Sequence, residues 1–535
     1  MDTFEFRSVN KTLEKSFREN WDRLALSNYQ GASLCYRDVA RRIEKLHISF
    51  EKCHLGKGDK VAICARNQVN WVVSFLATIT YGAVAVPILH KFKSGNIHYI
   101  VNHSGAKVLF VDDVVWEGLN PDEMPNLYAV VQINTFKLLY SKSRLIVRTR
   151  EHMNELFGQK HPNSFEADNI EYYRDSPDDL ALINYTSGTS GFSKGVMIPY
   201  RAICSNIQFA LHVLPELNNQ SNVVSMLPSA HMYGMMFEFL FEMSIGAHVH
   251  FLTRVPSPKI IMQAFAEVKP NIIIAVPLII EKVYKSKLQK LVEKGSMKTL
   301  LKMPLIDKMI QKKIRTELVN SFGGNFIEVI MGGAAFNKEI EKFFWDIEFP
   351  YTVGYGMTEC APIIAYAHFN DKKLYSCGKA ALNMQIRIDS PDPEKIEGEI
   401  QVYGPNLPLG YFKNEEASES LFCEDGWMRT GDMGIIDKDG YLFIRGRSKC
   451  MILGPNGQNI YPEELESVIN AVTYVVDSLV IEDNGGLTAL IYPDYHQAEL
   501  DGLTRDQLET TLNGLLPDIN KEIPGYAQIR KIEVM

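Results

Sequence analysis

The sequence predicts an α/β fold: a large N-terminal domain of mostly parallel βα-layered sheets with a β-rich subdomain, then a small α+β C-terminal domain. Three observations carry this. Short apolar runs alternate with amphipathic stretches through most of the chain, the character changes after about residue 375 to short strands separated by turns, and a helix–strand mixture with its own punctuation follows Ser448.

The runs Lys60–Cys64, Val84–Ile88 and Lys107–Val111 read as strands, and Tyr36–Phe50 and His98–Asn102 as the helices between them. The stretch Trp71–Leu89 is uncharged and about as long as a membrane span, but Ser74, Thr78, Thr80, Gly82 and Pro87 interrupt it. It reads as a buried helix followed by a buried strand. The alternation recurs at Val223–Leu227, Ala247–Leu252, Asn271–Val276 and Phe326–Met331. Gly398–Tyr403, Gly434–Gly440 and Tyr441–Ile444 form the β-rich part, 375–447. Large and small domains are expected at 1–447 and 448–535, divided within Arg445–Lys449. In the small one, Pro462 opens a helix whose first turns hold Glu463, Glu464 and Glu466, as the helix dipole favours. Strands at Asp477–Ile481 and Leu487–Ile491, helix between Arg505 and Glu522 broken at Pro517, and a strand at Gln528–Val534 complete it.

The chain has 535 residues, 46% hydrophobic and 22% charged, with a net charge of -8: enzyme-sized globular material with no electrostatic pull toward nucleic acid. Its eight cysteines are scattered without a Cys-x-x-Cys pair, which suggests neither a disulfide framework nor a zinc site and reads as reduced, mostly structural thiols. The N-terminus lacks a basic region followed by an apolar stretch, so a cytoplasmic location is expected.

The chemistry concentrates in Tyr185-Thr-Ser-Gly-Thr-Ser-Gly-Phe-Ser-Lys-Gly195. Glycines admit an anion close to the backbone, hydroxyls and N–H groups donate to phosphate oxygens, and the lysine adds a mobile positive charge. Apolar runs on either side, Leu180–Ile183 and Val196–Ile198, suggest that the loop joins two strands. A P-loop frame counted from Gly188 fails at two fixed positions, Ser193 and Gly195. Two further segments have compatible chemistry. In Gly354-Tyr-Gly-Met-Thr-Glu359 a ring can lie against a purine, a threonine can donate to phosphate and a carboxylate can hold Mg²⁺; in Arg429-Thr-Gly-Asp432 a carboxylate after a tight turn can accept ribose hydroxyls.

In this order and spacing the segments resemble the adenylate-forming superfamily of acyl-CoA synthetases, luciferases and peptide-synthetase adenylation domains. The phosphate loop at 185–195, Leu227-Pro-Ser-Ala-His-Met-Tyr-Gly234, Gly332-Gly-Ala-Ala335, Tyr355-Gly-Met-Thr-Glu359, Thr430-Gly-Asp432, Gly446-Arg-Ser-Lys449 and Asn459–Glu466 each have a counterpart. The resemblance implies that Thr186, Ser187, Thr189 and Lys194 contact ATP phosphates, that Glu359 with Thr186 holds Mg²⁺, and that Thr358 reaches the α-phosphate. It puts Asp432 and Arg447 on the ribose and Gly333, Ala334, Ala335, Tyr355 and Gly356 around the adenine. Gly188 and Gly457 complete the nucleotide contacts, His231 gates the acyl site, and Lys449 is the hinge about which the small domain moves. The implied reaction joins a carboxylate to AMP with loss of pyrophosphate, and the thiol of coenzyme A then displaces AMP.

The family closes with a Pro-x-Gly-Lys-like segment that supplies a cationic lysine. Here the sequence stops at Met535, Lys531 reads as a surface residue of the last strand, and a chain trimmed relative to the natural protein is the expectation. The stretch Lys313–Gly324 with Met331–Phe336 and Glu341–Phe344 is similar to the long-chain fatty acyl-CoA synthetases. Met232, Tyr233, Met235, Met236 and Phe237 suit a channel for a flexible chain, where each buried methylene contributes about 0.8 kcal/mol. A medium- or long-chain fatty acid is therefore the expected acid. Transfer to a carrier-protein thiol, action on an aryl acid, or a nucleotide-binding regulator without catalysis are the alternatives; either a monomer or a homodimer is compatible. The basic, leucine-interleaved region 282–315 suggests peripheral contact with an anionic membrane at its inner face, against the plainer reading of a solvated helical face.

Overall fold

Continuous apolar runs need cover on both faces, and parallel sheets provide it. In the computed structural model, which describes residues 4–52, 54–186, 193–254, 257–284, 304–453, 459–483 and 486–535, the largest sheet has seven strands. Their order is Leu138–Ser141, Ala129–Gln132, Val108–Val111, Lys60–Cys64, Val84–Ile88, Leu180–Thr186 and Lys194–Pro199. The inner pairings are parallel, and the strand at each edge is antiparallel. Val84–Ile88 is buried throughout, and the preceding helix Val69–Tyr81 is buried on nearly every side. Its hydroxyls are satisfied inside the helix: Ser74 and Thr78 each donate to the carbonyl one turn back at 2.8 Å. Gly82 ends it in the left-handed conformation, at φ 84°. Trp71–Leu89 is thus a buried helix and strand, and no helix among the described residues is long and apolar enough to cross a membrane.

A second sheet pairs Asn222–Ser225, His248–Phe251 and Leu24–Asn28 in parallel, with Ser33–Cys35 antiparallel at its edge. A third, all parallel, holds Ile273–Ala275, Val329–Met331 and Tyr351–Val353, and a bridge from Val223 to Ile272 joins it to the second. The third sheet's carboxyl ends run directly into Gly332–Ala335 and Gly354–Glu359, and that end of an open α/β sheet is where ligands bind. The β-rich part is an antiparallel sheet of Gln385–Asp389, Gly398–Tyr403, Met428–Ile436 and Leu442–Arg447.

Two boundaries differ from expectation for local reasons. The run Gly434–Gly440 ends as strand at Ile436, because the Asp437 carboxylate accepts from the amides of Asp439 and Tyr441, both at 3.0 Å, and turns the chain. The last helical stretch breaks at Leu515, and Pro517 lies in the first turn of the second helix, Leu516–Glu522, where its missing N–H costs nothing. Pro462 opens its helix as expected.

Residues 460–532 build a hydrophobic cluster of their own, centred on Ile469, Ala489, Ile491, Leu508 and Leu512. Polar contacts tie it to the rest of the chain: the Asn337 amide donates to the Ser467 carbonyl at 2.9 Å, Tyr461 donates to Glu397 at 2.9 Å, and Lys338 lies 3.5 Å from Glu464. Tyr461 also packs its ring on Gly446, where a Cβ would come within 2.6 Å of it. Cys35, Cys64, Cys204, Cys360, Cys377, Cys423 and Cys450 are free thiols; burial pushes Cys377 up to about 12, which keeps it protonated and inert.

Candidate active site

The phosphate loop joins two antiparallel strands, with Tyr185 paired to Gly195 and Thr186 to Lys194. Register thus places Thr186 and Lys194 side by side at the mouth of a hairpin. Ser187, Gly188 and Thr189, between them, lie outside the described residues, as does Gly457.

Lys194 directs its ammonium over the Tyr411 ring, 5.0 Å from the centroid. The Tyr411 hydroxyl donates to Glu359 Oε1 at 2.8 Å. Glu359 is buried, and desolvation raises its pKa against the opposing pull of that hydrogen bond. A neighbouring cation would lower it again. Among the described residues no group of three or more His, Cys, Asp or Glu could hold a metal by itself. One buried carboxylate without such a cage fits Mg²⁺ held jointly by protein and substrate phosphates, the habit of that ion.

Glu359 sits in the short 3₁₀ turn Thr358–Cys360, held from two sides. Buried Asn206 donates to the Cys360 carbonyl at 3.3 Å and accepts from the Ile363 amide at 3.1 Å, while Asn406 donates to the Ile363 carbonyl at 2.8 Å. Gly356 lies so close beneath that a Cβ would stand 2.2 Å from the Pro362 carbonyl oxygen, so only glycine fits.

Asp432 and Arg447 face each other across antiparallel strands, with Nε 3.4 Å from Oδ1. Oδ2 accepts from the Tyr355 hydroxyl at 2.5 Å. Burial raises the Asp432 pKa, opposed by that hydrogen bond and by Arg447. The glycine segment leaves the sheet with Gly333, Ala334 and Ala335 exposed, a low shelf above Gly332. The Tyr233 ring lies under that shelf, within 3.4 Å of a Cβ position on Gly332, and its hydroxyl donates to the Ile330 carbonyl at 3.0 Å.

His231 stands at the N-cap of the helix Met232–Met235, and desolvation lowers its pKa. Its loop is fixed by Glu238, which is fully buried and accepts from the Ser225 hydroxyl at 2.9 Å and from the amides of Met226 and Leu227 at 3.1 Å. Asn184, on the strand entering the phosphate loop, donates to the Ala230 carbonyl at 2.9 Å. Lys449 is exposed in the turn after Arg447, where Ser448 donates through both amide and hydroxyl to the Gly431 carbonyl. Lys531 lies on the exposed face of its strand at 2.5 Å from Glu533, as a surface residue would.

The fold therefore makes two contact groups, Lys194–Tyr411–Glu359 and Tyr355–Asp432–Arg447, near enough that Arg447 and Asp432 act electrostatically on Glu359, with Thr186 and Thr358 on the adjoining backbone. Lys449 follows Arg447 in the chain by two residues, and His231 follows Ala230, which Asn184 holds. The residues that tie the site together, Tyr411, Asn206, Asn406 and Glu238, carry no spacing signal: Leu-Gly-Tyr411 reads as a turn and Asn206 as an ordinary helical position.

The family model described as AMP-binding enzyme matches residues 13–412, and the chain belongs to that family. Among relatives, long chain acyl-CoA synthetase 5 of Arabidopsis thaliana is 27% identical over 491 residues, covering 84% of this chain and 71% of the other. The long-chain-fatty-acid–CoA ligase FadD15 of Mycobacterium bovis is 26% identical, with 83% of this chain and 74% of that one covered. The fold matches the anthranilate CoA ligase AuaEII in complex with anthranoyl-AMP, at a TM-score of 0.78 and 19% identity over 100% of this chain and 94% of that one. It also matches ATP-bound MatB from Rhodopseudomonas palustris, at 0.74 and 22% over 99% and 95%.

Proposed function

We propose that the chain is an AMP-forming acid–thiol ligase that activates a medium- or long-chain fatty acid with ATP and passes the acyl group to coenzyme A. The observation that carries this is the contact series from Lys194 through Tyr411 to Glu359, beside the Tyr355–Asp432–Arg447 group, in an AMP-binding fold whose similar sequences are named long-chain acyl-CoA ligases. The acid's carboxylate oxygen bonds to the α-phosphorus of ATP and the bond to the β,γ-pyrophosphate breaks. Lys194 and the hydroxyl loop balance the charge gathered on the departing pyrophosphate, and Thr358 donates to the α-phosphate. Mg²⁺, carried in with the phosphates and held by Glu359 and Thr186, would supply further charge neutralisation. Asp432 and Arg447 fix the ribose and the shelf 333–335 receives the adenine. The coenzyme A thiol then bonds to the acyl carbon and AMP leaves.

The second step needs a second arrangement, and we assign the movement to 448–535 turning about Lys449. Lys449→Pro is expected to spare acid-dependent pyrophosphate release and to reduce thioester formation by tenfold or more; a variant that makes thioester at the wild-type rate removes the hinge role. The function itself is tested by pyrophosphate release across fatty, aryl and short acids, with coenzyme A or a carrier protein as acceptor. Release with fatty acids and thioester with coenzyme A is the expected result. Release with aryl acids alone would favour the second reading, to which the anthranoyl-AMP-bound neighbour points; release without any acid, or none, would defeat ligase activity.

Peripheral membrane contact fits the described part of 282–315. Helix Pro304–Ser321 exposes Met309 beside Lys308, Lys312 and Lys313, although Arg315 is already paired with Glu348 at 2.7 Å. Lys285, Lys287, Lys290, Lys294, Lys298 and Lys302 lie outside the described residues. Sedimentation with vesicles should rise with anionic lipid and fall with salt; binding indifferent to both removes the proposal.

A further inference from the structure

The acyl site assigned above needs an end, and a run of aromatic rings leads from the shelf to a buried carboxyl group. Tyr233, beneath Gly332, has its ring centroid 6.2 Å from that of Phe237, which is 6.2 Å from Phe209, which is 5.3 Å from Tyr366, each pair edge to face. Phe209, Phe237 and Tyr366 are all buried. At the end of this run the Tyr366 hydroxyl donates to Glu328 Oε1 in a short hydrogen bond.

Glu328 has no exposed surface. It precedes the strand Val329–Met331, at the end of that strand opposite the one that opens into the glycine shelf. An acid is a costly residue to bury, and both of its oxygens are engaged from one segment: Oε1 by Tyr366 and Oε2 by the Phe369 amide at 3.0 Å. The same segment is pinned further along, where Lys372 donates to the carbonyls of Phe349 and Tyr351 at 3.2 and 2.9 Å. Glu216 and Lys372 act on Glu328 electrostatically from beyond the segment, and His368 senses both of them. Glu328 thus fastens residues 366–369 across the far end of the aromatic run. Without it, the tyrosine hydroxyl would be a buried donor without an acceptor.

Building on the fatty-acid reading, we propose that Tyr366 is the end wall of the acyl pocket and sets the longest tail it accepts, and that Glu328 is a positioning residue acting through it. The terminal methyl of the tail meets the edge of the Tyr366 ring, and the carboxyl group lies behind the ring, out of reach of the chain. Shortening the side chain lets the tail continue toward the segment. Each further methylene taken up strengthens binding by about fourfold.

The test is pyrophosphate release by the full chain against a ladder of saturated acids from medium to very long. Tyr366→Ala and the milder Tyr366→Leu should move the best kcat/KM to longer acids, through a lower KM for those acids. Glu328→Gln, which keeps the shape but has one acceptor oxygen for two donors, should broaden the ladder toward longer acids, and Tyr366→Phe should shift it less than Tyr366→Leu. A ladder with the same optimum in every folded variant, kcat and KM changing alike for all acids, overturns the wall and leaves the ligase reading standing. Wild-type release with aryl acids but no fatty acid removes the reading, and the wall with it.

Discussion

Lys194→Ala and Glu359→Gln are each expected to lower acid-dependent pyrophosphate release by about a hundred- to a thousandfold, the usual loss when one pre-placed group that stabilises developing charge is removed. The roles proposed for the two differ: Lys194 is assigned to the pyrophosphate charge and Glu359 to Mg²⁺. Alanine at 194 removes a cation that already stands 5.0 Å from the Tyr411 ring centroid, so its reach is set before substrate arrives. Glutamine at 359 keeps an acceptor for the Tyr411 hydroxyl, now at 2.8 Å, and with it the turn Thr358–Cys360, but loses the charge that draws Mg²⁺. Both variants should therefore melt close to the wild type. Because Tyr411 touches both residues, their losses should combine to less than the sum of the separate effects. Release at the wild-type rate in either single variant would strip that residue of its assigned role.

Glu242→Gln should stabilise the protein, by an amount that depends on pH. Glu242 is 1% exposed and neither oxygen has a hydrogen-bond partner beyond its own backbone amide. Desolvation raises its pKa from 4.5 to about 8. The native state therefore keeps a proton that the unfolded chain releases, so this group's contribution is present below 4.5 and is lost as pH rises through about 8. Glutamine does not titrate. The variant and the wild type should unfold at similar denaturant concentrations below pH 4.5, and the variant should gain on the order of 3–5 kcal/mol by pH 8. A difference in midpoint that stays flat across this window would mean that Glu242 is charged and partnered in the native protein.

How much of this was readable in advance follows from the kind of physics each residue uses. Strands such as Lys60–Cys64 and Val84–Ile88 agree with the sequence residue for residue, because a strand buried on both faces writes itself as an apolar run. Pro462 marks its helix start through its own backbone chemistry. Asp432 and Arg447 were legible as a pair through their motifs, and their register makes them neighbours. The remainder depends on contacts between residues far apart in the chain. Tyr411 acquires meaning only when folding places it between Lys194 and Glu359, and Asn206 only when its helix passes the Cys360 turn. Glu238 and Glu328 are harder still: sequence periodicity assigns charged residues to the surface, and both are fully buried. Tyr355 reads in the sequence as a ring for the adenine, and the hydrogen bond its hydroxyl gives to Asp432 is a contact the motif does not announce.

The packing of Tyr461 on Gly446 gives the C-terminal unit a detent. Tyr461 follows the turn at Lys449 and Gly446 precedes it, so the rotation proposed about that turn would have to unseat the ring. Among the described residues, polar contacts from Tyr461, Asn337 and Lys338 accompany it. At about 1 kcal/mol for a hydrogen bond and less for an exposed ion pair, each of these is individually weak. For the turning about Lys449 proposed above, contacts of this kind are ones that residues 448–535 can leave and regain in each cycle.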